Sequence, residues 1–201
     1  MLLEALRDFE WYNEAADVAF GERGVRVTAA PQPDFWQDAV RGYHRDSGHF
    51  FFARRRGAFV MTVCWRFGIP VDFAQCGLMG RVDENHWFKI SVMSKNGSSL
   101  NVGSVVTAGG CSDMALTPLS AGAAEIWFRL KRNDDGTFEL SYSVNGVVFV
   151  PVRLFRLPFA DDVFSAGVFA CNDIAGLFRD RTGRFAAERL DQIVDLLAGI
   201  E

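Results

Sequence analysis

The sequence predicts an all-β protein built as a β-sandwich or a β-barrel. Three observations predict it: short runs of alternating apolar and polar residues, turn residues between the runs, and a high content of aromatic side chains. Strand-length runs spaced in this way are typical of sandwiches and barrels, and they argue against strands that alternate with helices. Nineteen Phe and five Trp among 201 residues supply the large flat side chains that fill the space between packed sheets.

The candidate strands cover most of the chain between residues 24 and 171. There are ten of them: Gly24–Ala29, Gly48–Ala53, Ala58–Arg66, Gln75–Val82, His86–Ser94, Asn101–Thr107, Glu125–Arg132, Thr137–Val144, Val147–Phe155 and Ser165–Cys171. The dipeptide Asn145-Gly146 between two of these runs is the strongest short-range hairpin signal in the chain. Further Asn-Gly and Asp-Gly pairs at 96–97 and 135–136 mark two more reversals.

The length of 201 residues suits one all-β domain, so we expect a single domain over residues 1–201 with its core at about 11–190. The tail at about 189–200 has apolar residues at helical spacing: Leu190, Ile193, Val194, Leu197 and Ile200. This pattern predicts a short amphipathic C-terminal helix that docks on the domain or on a partner chain.

Charge and hydropathy narrow the classes of function. The formal net charge is −4 and the isoelectric point is near 5.4, so we expect no nucleic-acid binding. No stretch of eighteen apolar residues occurs, so we expect no membrane span. The N-terminus lacks the apolar segment of a signal peptide. We therefore expect a cytoplasmic protein whose four cysteines are reduced.

Alternation also sorts each strand into two faces. In the run that begins at His86, the apolar residues Phe88 and Ile90 share the core face, and Trp87 and Lys89 share the other. Matching the apolar faces of the runs Glu125–Arg132 and Thr137–Val144 gives three cross-strand pairs: Leu130 with Leu140, Arg129 with Ser141, and Lys131 with Glu139.

The polar strand faces carry tryptophans, which suits recognition of a saccharide or another polyhydroxylated metabolite. An indole ring covers the apolar face of a pyranose while charged and amide groups bond its hydroxyls. If the sheet curves, this face becomes a concave groove with these ligand-binding residues: His49, Gln75, Arg81, Trp87, Lys89, Trp127, Arg129 and Ser141. The alternative is that loops cover both indoles, which then extend the core.

A glycoside hydrolase with a non-standard carboxylate arrangement is a second alternative. Glycoside hydrolysis needs two carboxyl groups on facing positions, one of them with a raised pKa. Glu125 and Glu139 are the only pair that we place on the polar face. Glu139 faces Lys131, and a neighbouring cation lowers the pKa of a carboxyl group. A cross-strand ion pair is therefore the expected role of Glu139.

The sequence contains no recognisable metal or cofactor motif. The three histidines, His44, His49 and His86, lack the spacing of metal ligands, and no nucleophile-elbow, Walker or dinucleotide motif occurs. We therefore expect no metal and no cofactor. His49 in the run GHFFF fits either a hydrogen-bonded strand residue or a ligand contact, and we favour the structural role.

Eight short motifs occur in one order along residues 11–190. They are Asp34-Phe35-Trp36, Gly48-His49-Phe50-Phe51, Gln75-Cys76-Gly77-Leu78-Met79, Asn85-His86-Trp87-Phe88-Lys89, Ser104-Val105-Val106-Thr107, Ser112-Asp113, Trp127-Phe128-Arg129, and Tyr142-Ser143 before Asn145-Gly146. In this order they resemble the domain-of-unknown-function family that includes the regulation-of-enolase proteins, within the concanavalin A-like lectin/glucanase superfamily.

The resemblance implies a two-sheet antiparallel jelly-roll sandwich of the concanavalin A-like kind, with a concave face, and it brings no established activity. The family name implies a further alternative, a regulatory or scaffold protein that binds a metabolic enzyme, with the C-terminal helix as a contact. The chain lacks the ExDxxE motif of the superfamily's enzymes. It also departs from the family pattern at Ala15, Ala74 and Met114, where Pro, an acid and Trp are expected. A pocket that depends on those residues would be altered or lost.

Overall fold

Two antiparallel β-sheets pack face to face in the computed structural model of the protein. The structure describes residues 6–21, 24–29, 32–38, 40–68, 73–94, 99–119, 125–157, 163–171 and 175–179. Within these ranges the chain forms sixteen strands: β1 Glu10–Tyr12, β2 Asp17–Gly21, β3 Gly24–Thr28, β4 Phe35–Asp38, β5 Tyr43–Asp46, β6 His49–Arg56, β7 Phe59–Gly68, β8 Gln75–Asp83, β9 His86–Ser94, β10 Leu100–Ala108, β11 Cys111–Pro118, β12 Glu125–Arg132, β13 Phe138–Ser143, β14 Val150–Phe155, β15 Val163–Cys171 and β16 Ala175–Arg179.

The strands of the described ranges divide into a nine-stranded and a seven-stranded sheet. The nine-stranded sheet has the order β1-β6-β15-β8-β9-β10-β11-β4-β5, and the seven-stranded sheet has the order β14-β13-β12-β7-β16-β3-β2. The predicted all-β sandwich is therefore confirmed. The predicted C-terminal helix lies outside the described residues. Among the residues that are described, no helix has the length and hydropathy needed to cross a membrane.

The inner core between the sheets includes the side chains of β9 that alternation assigned to it. Phe88, Ile90 and Val92 of β9 are fully buried there. Each such side chain contributes roughly 1.5–3 kcal/mol relative to an exposed position. Strands β9 and β12 have the predicted bounds, and the predicted register of β12 with β13 is confirmed, with Leu130 opposite Leu140.

Six strands were not predicted, namely β1, β2, β4, β5, β11 and β16. Most of them are three to five residues long, and β4 and β5 consist largely of polar and charged residues. Strand propensity reflects packing against neighbours more than the residue types themselves. Tertiary contacts, described below for β4 and β5, therefore decide their conformation.

The connection around Asn145-Gly146 is longer than a two-residue hairpin turn. β13 ends at Ser143 and β14 begins at Val150, so residues 144–149 join them. The Asn145 side-chain oxygen accepts hydrogen bonds from the N–H groups of residues 147 and 148 at 2.9 and 3.0 Å. Ser143 Oγ accepts another from the Gly146 N–H at 2.9 Å. These side-chain bonds to the backbone order the loop.

A second apolar cluster lies on the outer face of the nine-stranded sheet, away from the other sheet. This outer core consists of Phe35, Phe50, Phe52, Met79, Trp87, Val105, Phe169 and Cys171. Phe35 comes from the hairpin β4–β5, and its ring centroid lies 6.1 Å from that of Trp87 and 6.5 Å from that of Phe169. The hairpin therefore folds back across the sheet that it extends, and the sheet curls around it.

Lys89 fastens this hairpin to the middle of the sheet. Its Nζ donates a hydrogen bond of 2.8 Å to the Phe35 carbonyl and lies 3.3 Å from Asp34 Oδ1. The rings of Trp87 and Phe169 lie 5.6 and 5.4 Å from the same nitrogen. The Lys89 side chain is 2% exposed, and a buried ammonium is tolerated only when it is paired and hydrogen-bonded. The two partners, the Asp34 carboxylate and the Phe35 carbonyl, come from the point where β4 begins.

Replacing Lys89 by Met should lower the free energy of unfolding by about 2–4 kcal/mol. The Phe35 carbonyl and the Asp34 carboxylate would lose their buried donor, while the apolar stem would keep its packing. Urea unfolding measures the change. The matched control is Lys131→Met, at an exposed position of β12, which should shift stability by less than about 0.5 kcal/mol. Equal losses in the two variants would contradict the fastening role of Lys89.

Candidate functional site

The predicted site residues do not share one surface. Four of them lie on the outer face of the nine-stranded sheet, on β8 and β9: Gln75, Arg81, Trp87 and Lys89. Three lie on the outer face of the seven-stranded sheet, on β12 and β13: Trp127, Arg129 and Ser141. The outer faces of a sandwich point away from each other, so the prediction of a single groove is wrong. Alternation defines the two faces of a strand but not the sheet that the strand joins.

Neither of the two tryptophans offers a ring to solvent. Trp87 is fully buried in the outer core, and its Nε1 donates a hydrogen bond of 3.2 Å to the Glu84 carbonyl. Trp127 is 8% exposed and packs with Cys64 and Phe149 under the loop 144–149. Loops and the hairpin therefore cover both indoles, as in the alternative considered from the sequence.

The polar residues of the predicted groove are engaged in structural contacts. Gln75 is 4% exposed, and its amide donates to the Phe73 carbonyl and accepts from Ser91 Oγ. Arg129 donates to Thr62 Oγ1, and its guanidinium carbon lies 3.6 Å from the ring centroid of Phe149. The expected open concave groove is therefore absent from these surfaces. On the nine-stranded sheet the hairpin β4–β5 fills the space, and on the seven-stranded sheet the loop 144–149 covers the surface.

His49 lies apart from both sets. It pairs with Ala170, which belongs to the inner core, at the end of β6 that follows the hairpin β4–β5. Its Nδ1 lies 2.7 Å from the Asn13 carbonyl, and because a carbonyl only accepts, Nδ1 carries the proton. Its Nε2 is buried with no hydrogen-bond partner among the described residues. This geometry supports a structural role for the ring.

A polar latch closes the nine-stranded sheet at one rim, and it consists of Tyr12, Asp46 and Arg81. The Arg81 guanidinium donates to both Asp46 oxygens at 2.8 and 2.9 Å, and the Tyr12 hydroxyl donates to the same carboxylate at 2.6 Å. The guanidinium also lies over the Tyr12 ring, 4.5 Å from its centroid. Asn13, with a positive φ of 54°, adds a bond from its side-chain amide to the Asp46 carbonyl. The latch joins β1 at one edge of the sheet to β5 at the other.

His44 and Glu84 lie beside the latch. The side-chain ligand atoms of His44, Asp46 and Glu84 are within 4.8 Å of one another, a spacing that raises the question of a cation site. Both Asp46 oxygens already accept bonds from the latch, and the positive charge of Arg81 opposes a second cation there. The donor set therefore does not fit a metal ion.

The buried thiols and the ion-paired carboxylate are unsuited to catalysis. Burial raises the pKa of Cys76 and Cys171, so neither supplies a thiolate nucleophile at neutral pH. The Glu125 carboxylate forms an ion pair of 2.7 Å with Arg66. Glu139 lies opposite Lys131 in the backbone ladder, which is the predicted register, and the ion pair between their side chains stays a prediction. Carboxylates held by cations are poor general acids.

The outward face of the hairpin β4–β5 presents aromatic and charged side chains together. Trp36 is opposite Arg45, and Asp38 is opposite Tyr43, on the hairpin face away from Phe35. Tyr43 is 45% exposed, and the Arg45 guanidinium lies 4.9 Å from its ring centroid. Trp36 is partly buried against the outer core. This outward face therefore combines one exposed and one partly buried aromatic ring with charged groups.

Sequence reasoning missed the outward face because the hairpin was not recognised as two strands. Neither segment, Phe35–Asp38 (FWQD) or Tyr43–Asp46 (YHRD), alternates between apolar and polar residues, so periodicity gave no strand signal. Gly42 between them adopts a positive φ of 66°, which favours glycine at a tight reversal. Gly42 between two short segments that each contain aromatic and charged residues is the one signal in the sequence that could have indicated the hairpin.

The two curled sheets and their topology define a β-sandwich of the lectin-like class. The chain belongs to the family described as "Protein of unknown function (DUF1349)", whose model matches residues 11–180. The resemblance seen in the sequence is thereby confirmed. A curated relative, Regulation of enolase protein 1 from Saccharomyces cerevisiae, is 29% identical over 167 residues, which are 83% of this chain and 82% of that protein.

Solved structures support the same class of fold. A functionally unknown protein from Saccharomyces cerevisiae is 26% identical, with a TM-score of 0.79, over 86% of this chain and 94% of that chain. A legume lectin-like domain from Entamoeba histolytica matches 87% of this chain and 88% of its own, with a TM-score of 0.57 and 8% identity. The GH43 protein BlXynB from Bacillus licheniformis matches 85% of this chain but 35% of its own, with a TM-score of 0.66 and 17% identity. The last two likenesses concern the fold alone.

The latch makes stability depend on pH in the alkaline range. Burial raises the pKa of the Tyr12 hydroxyl above its ordinary value of 10.0, and the hydrogen bond to Asp46 raises it further. The stability linked to this proton is complete below pH 10.0 and is lost as the pH rises through the folded-state pKa. Urea unfolding between about pH 9 and pH 11.5 should show this decline in the wild type and a shallower one in Tyr12→Phe. Tyr43→Phe is the control, and a decline that is shallower in that variant too would contradict the assignment to Tyr12.

Proposed function

We propose that this protein is a binding module that holds a saccharide or a similar polyhydroxylated ligand on the outward face of the hairpin β4–β5. The observation that carries the proposal is the exposed ring of Tyr43 beside Arg45, with Trp36 and Asp38 on the same face. The ligand class is the one that the sequence indicated, and the surface is a different one.

The chemistry of the outward face suits a sugar. An aromatic ring covers the C–H face of a pyranose, and a guanidinium and a carboxylate bond neighbouring hydroxyls as donor and acceptor. Tyr43 and Trp36 are diagonal neighbours on the antiparallel pair, within reach of one bound ring.

The hairpin is held rigidly, which favours binding. Lys89 fastens the start of β4, the latch fastens the end of β5, and the Gln37 side chain donates a bond of 2.9 Å to the Glu84 carbonyl. A surface that is ordered before binding loses little conformational entropy when the ligand arrives. Structural neighbours named as a legume lectin-like domain and as a xylan beta-1,4-xylosidase add support at the level of fold.

Saccharide binding can be tested by titrating a panel of xylose-, arabinose- and glucose-based oligosaccharides, with two-dimensional NMR as the readout. We expect one class to bind with a dissociation constant of about 0.1–1 mM, shifting resonances of the hairpin. Tyr43→Ala should weaken this affinity at least about fivefold, because the stacking surface is lost. Phe20→Ala removes an equally exposed aromatic ring on the other sheet and should leave the affinity unchanged. Absence of binding by the whole panel, or equal losses in the two variants, would contradict the proposal.

A second candidate function is regulation of a metabolic enzyme through protein binding. The observation in its favour is the relative named Regulation of enolase protein 1, which matches this chain over most of both lengths. All four cysteines are free, and this proposal includes a cytosolic location, in which thiols stay reduced.

Binding to purified enolase tests this candidate. Biolayer interferometry should give a dissociation constant below about 10 µM, with an unrelated enzyme of similar net charge as the control analyte. Equal or absent binding of the two enzymes would remove the candidate and leave saccharide binding unaffected.

A further inference from the structure

One edge of strand β11 is left unpaired where the hairpin β4–β5 leaves the plane of the sheet. β4 pairs with β11 through Cys111 and Asp38 alone. Beyond this pair β4 crosses the outer face, and the Phe35 carbonyl accepts the bond from Lys89 on β9, two strands further into the sheet. No strand of the described ranges pairs with residues 113–118 on the side that faces away from β10. This part of β11 is therefore an open edge within the sheet.

The ladder with β10 shows which backbone groups point toward the open edge. Along an antiparallel strand, residues whose N–H and C=O point to the neighbour alternate with residues whose groups point away. The Leu119 N–H donates to the Leu100 carbonyl at 2.9 Å, so the backbone of Leu119 faces β10. The register with β10 continues without a shift from there, so Met114 and Leu116 direct their N–H and C=O groups away from β10. The open edge thus offers two donors and two acceptors.

The open edge has a defined end on each side. Pro118 also directs its nitrogen away from β10, and a proline has no N–H to donate. On the other side, Ser112 Oγ accepts a bond of 3.0 Å from the Gln37 N–H, so β4 already occupies that position. Between these ends, Met114 and Leu116 are partly exposed, and Met114 packs against the outer core. A strand that adds here meets two residues with open backbone groups.

We propose that two copies of the chain pair antiparallel along this edge, about a two-fold axis that passes beside Ala115. In that register Met114 exchanges two hydrogen bonds with the partner's Leu116, and Leu116 exchanges two with the partner's Met114, so every open group is used. A register centred on Leu116 would place Met114 opposite Pro118, which lacks a donor. A register centred on Met114 would place Leu116 opposite Ser112, where β4 already lies. The two ends of the open edge therefore select one register.

The side chains along the edge are complementary to themselves about this axis. On the outer face, Met114 lies beside the partner's Leu116, and the symmetry produces this apolar contact twice. On the other face, Ala115 meets the partner's Ala115, and Asp113 lies opposite the hydroxyl of the partner's Thr117. The two Asp113 carboxylates are about 14 Å apart along the strands, so like charges do not face each other. Because a two-fold pair is closed, it leaves this edge unavailable to a third chain.

The proposal goes beyond ligand binding and does not depend on it, because it uses the backbone edge of β11 and no side chain of the hairpin's outward face. It commits to a second copy because the open groups and the neighbouring side chains match their own symmetry mates. A strand from another protein is the alternative occupant, and it would leave the free chain monomeric.

Sedimentation equilibrium of the full-length chain tests the pairing. At about 100 µM the wild type should show twice the chain mass of 22.4 kDa. Ala115 is exposed, so Ala115→Lys and Ala115→Asp keep the fold, but each places like charges opposite each other across the axis and should weaken dimerisation at least about tenfold. A mixture of the two variants should dimerise again, because the facing charges are then opposite.

The matched control is Ala108→Lys, at an exposed alanine of β10, which should leave the dimer intact. A wild type that stays monomeric would overturn the proposal in favour of a strand from another protein. A dimer that Ala115→Lys leaves intact would overturn it in favour of another surface of the chain.

Oxidative cross-linking tests the register. In a Cys111→Ser background, Ala115→Cys should form a disulfide between two copies, because facing residues that exchange no hydrogen bonds have Cα atoms about 4.5 Å apart. The control is Asp113→Cys, on the same strand and the same face, which lies about 14 Å from its own symmetry mate and should remain a free thiol. Equal cross-linking of the two variants would contradict the register centred on Ala115.

Discussion

The shape of the nine-stranded sheet depends on the buried ammonium of Lys89. The hairpin β4–β5 joins the sheet ladder through a single pair, Cys111 with Asp38, so backbone pairing alone holds it weakly. Lys89 reaches from the middle of the sheet to the Phe35 carbonyl and thereby holds the hairpin over the centre of the outer face. The cost of burying the charge is offset by a carboxylate, a carbonyl and two ring faces. The outer core is closed because the Lys89 ammonium finds its partners where β4 begins, in Asp34 and Phe35, and in the rings of the aromatic cluster.

A concave sheet face is a binding site only where it stays open. Here the concavity is occupied by the chain's own hairpin, and its large side chains are as buried as those between the sheets. The surface available to a ligand is consequently the far side of the hairpin. The same fold can therefore place binding chemistry on a loop-like element at the rim, with the curled sheet as its support.

The parts of the fold that followed from the sequence are those governed by local periodicity. Phe88 and Ile90 were assigned to the core, and the register of Leu130 with Leu140 was assigned correctly, because a period of two residues leaves one solution when one face is apolar. The predicted site failed at a different level. Trp87 and Trp127 both lie on non-core faces, yet their strands belong to different sheets, and no local pattern reports sheet membership. The hairpin β4–β5 was missed because its conformation depends on partners 34 to 55 residues away in the chain.

The latch between Tyr12 and Asp46 also protects the protein against edge-to-edge aggregation. An open sheet ends in two outer strands whose unpaired backbone groups invite strands from neighbouring molecules, the first step toward fibrils. In the nine-stranded sheet those two strands, β1 and β5, are drawn together by the latch, so the sheet is nearly a ring. In the seven-stranded sheet the outer strand β14 carries Pro151, which has no N–H to offer a neighbouring strand. One sheet is protected by closure, and the β14 edge of the other sheet is protected by a missing donor.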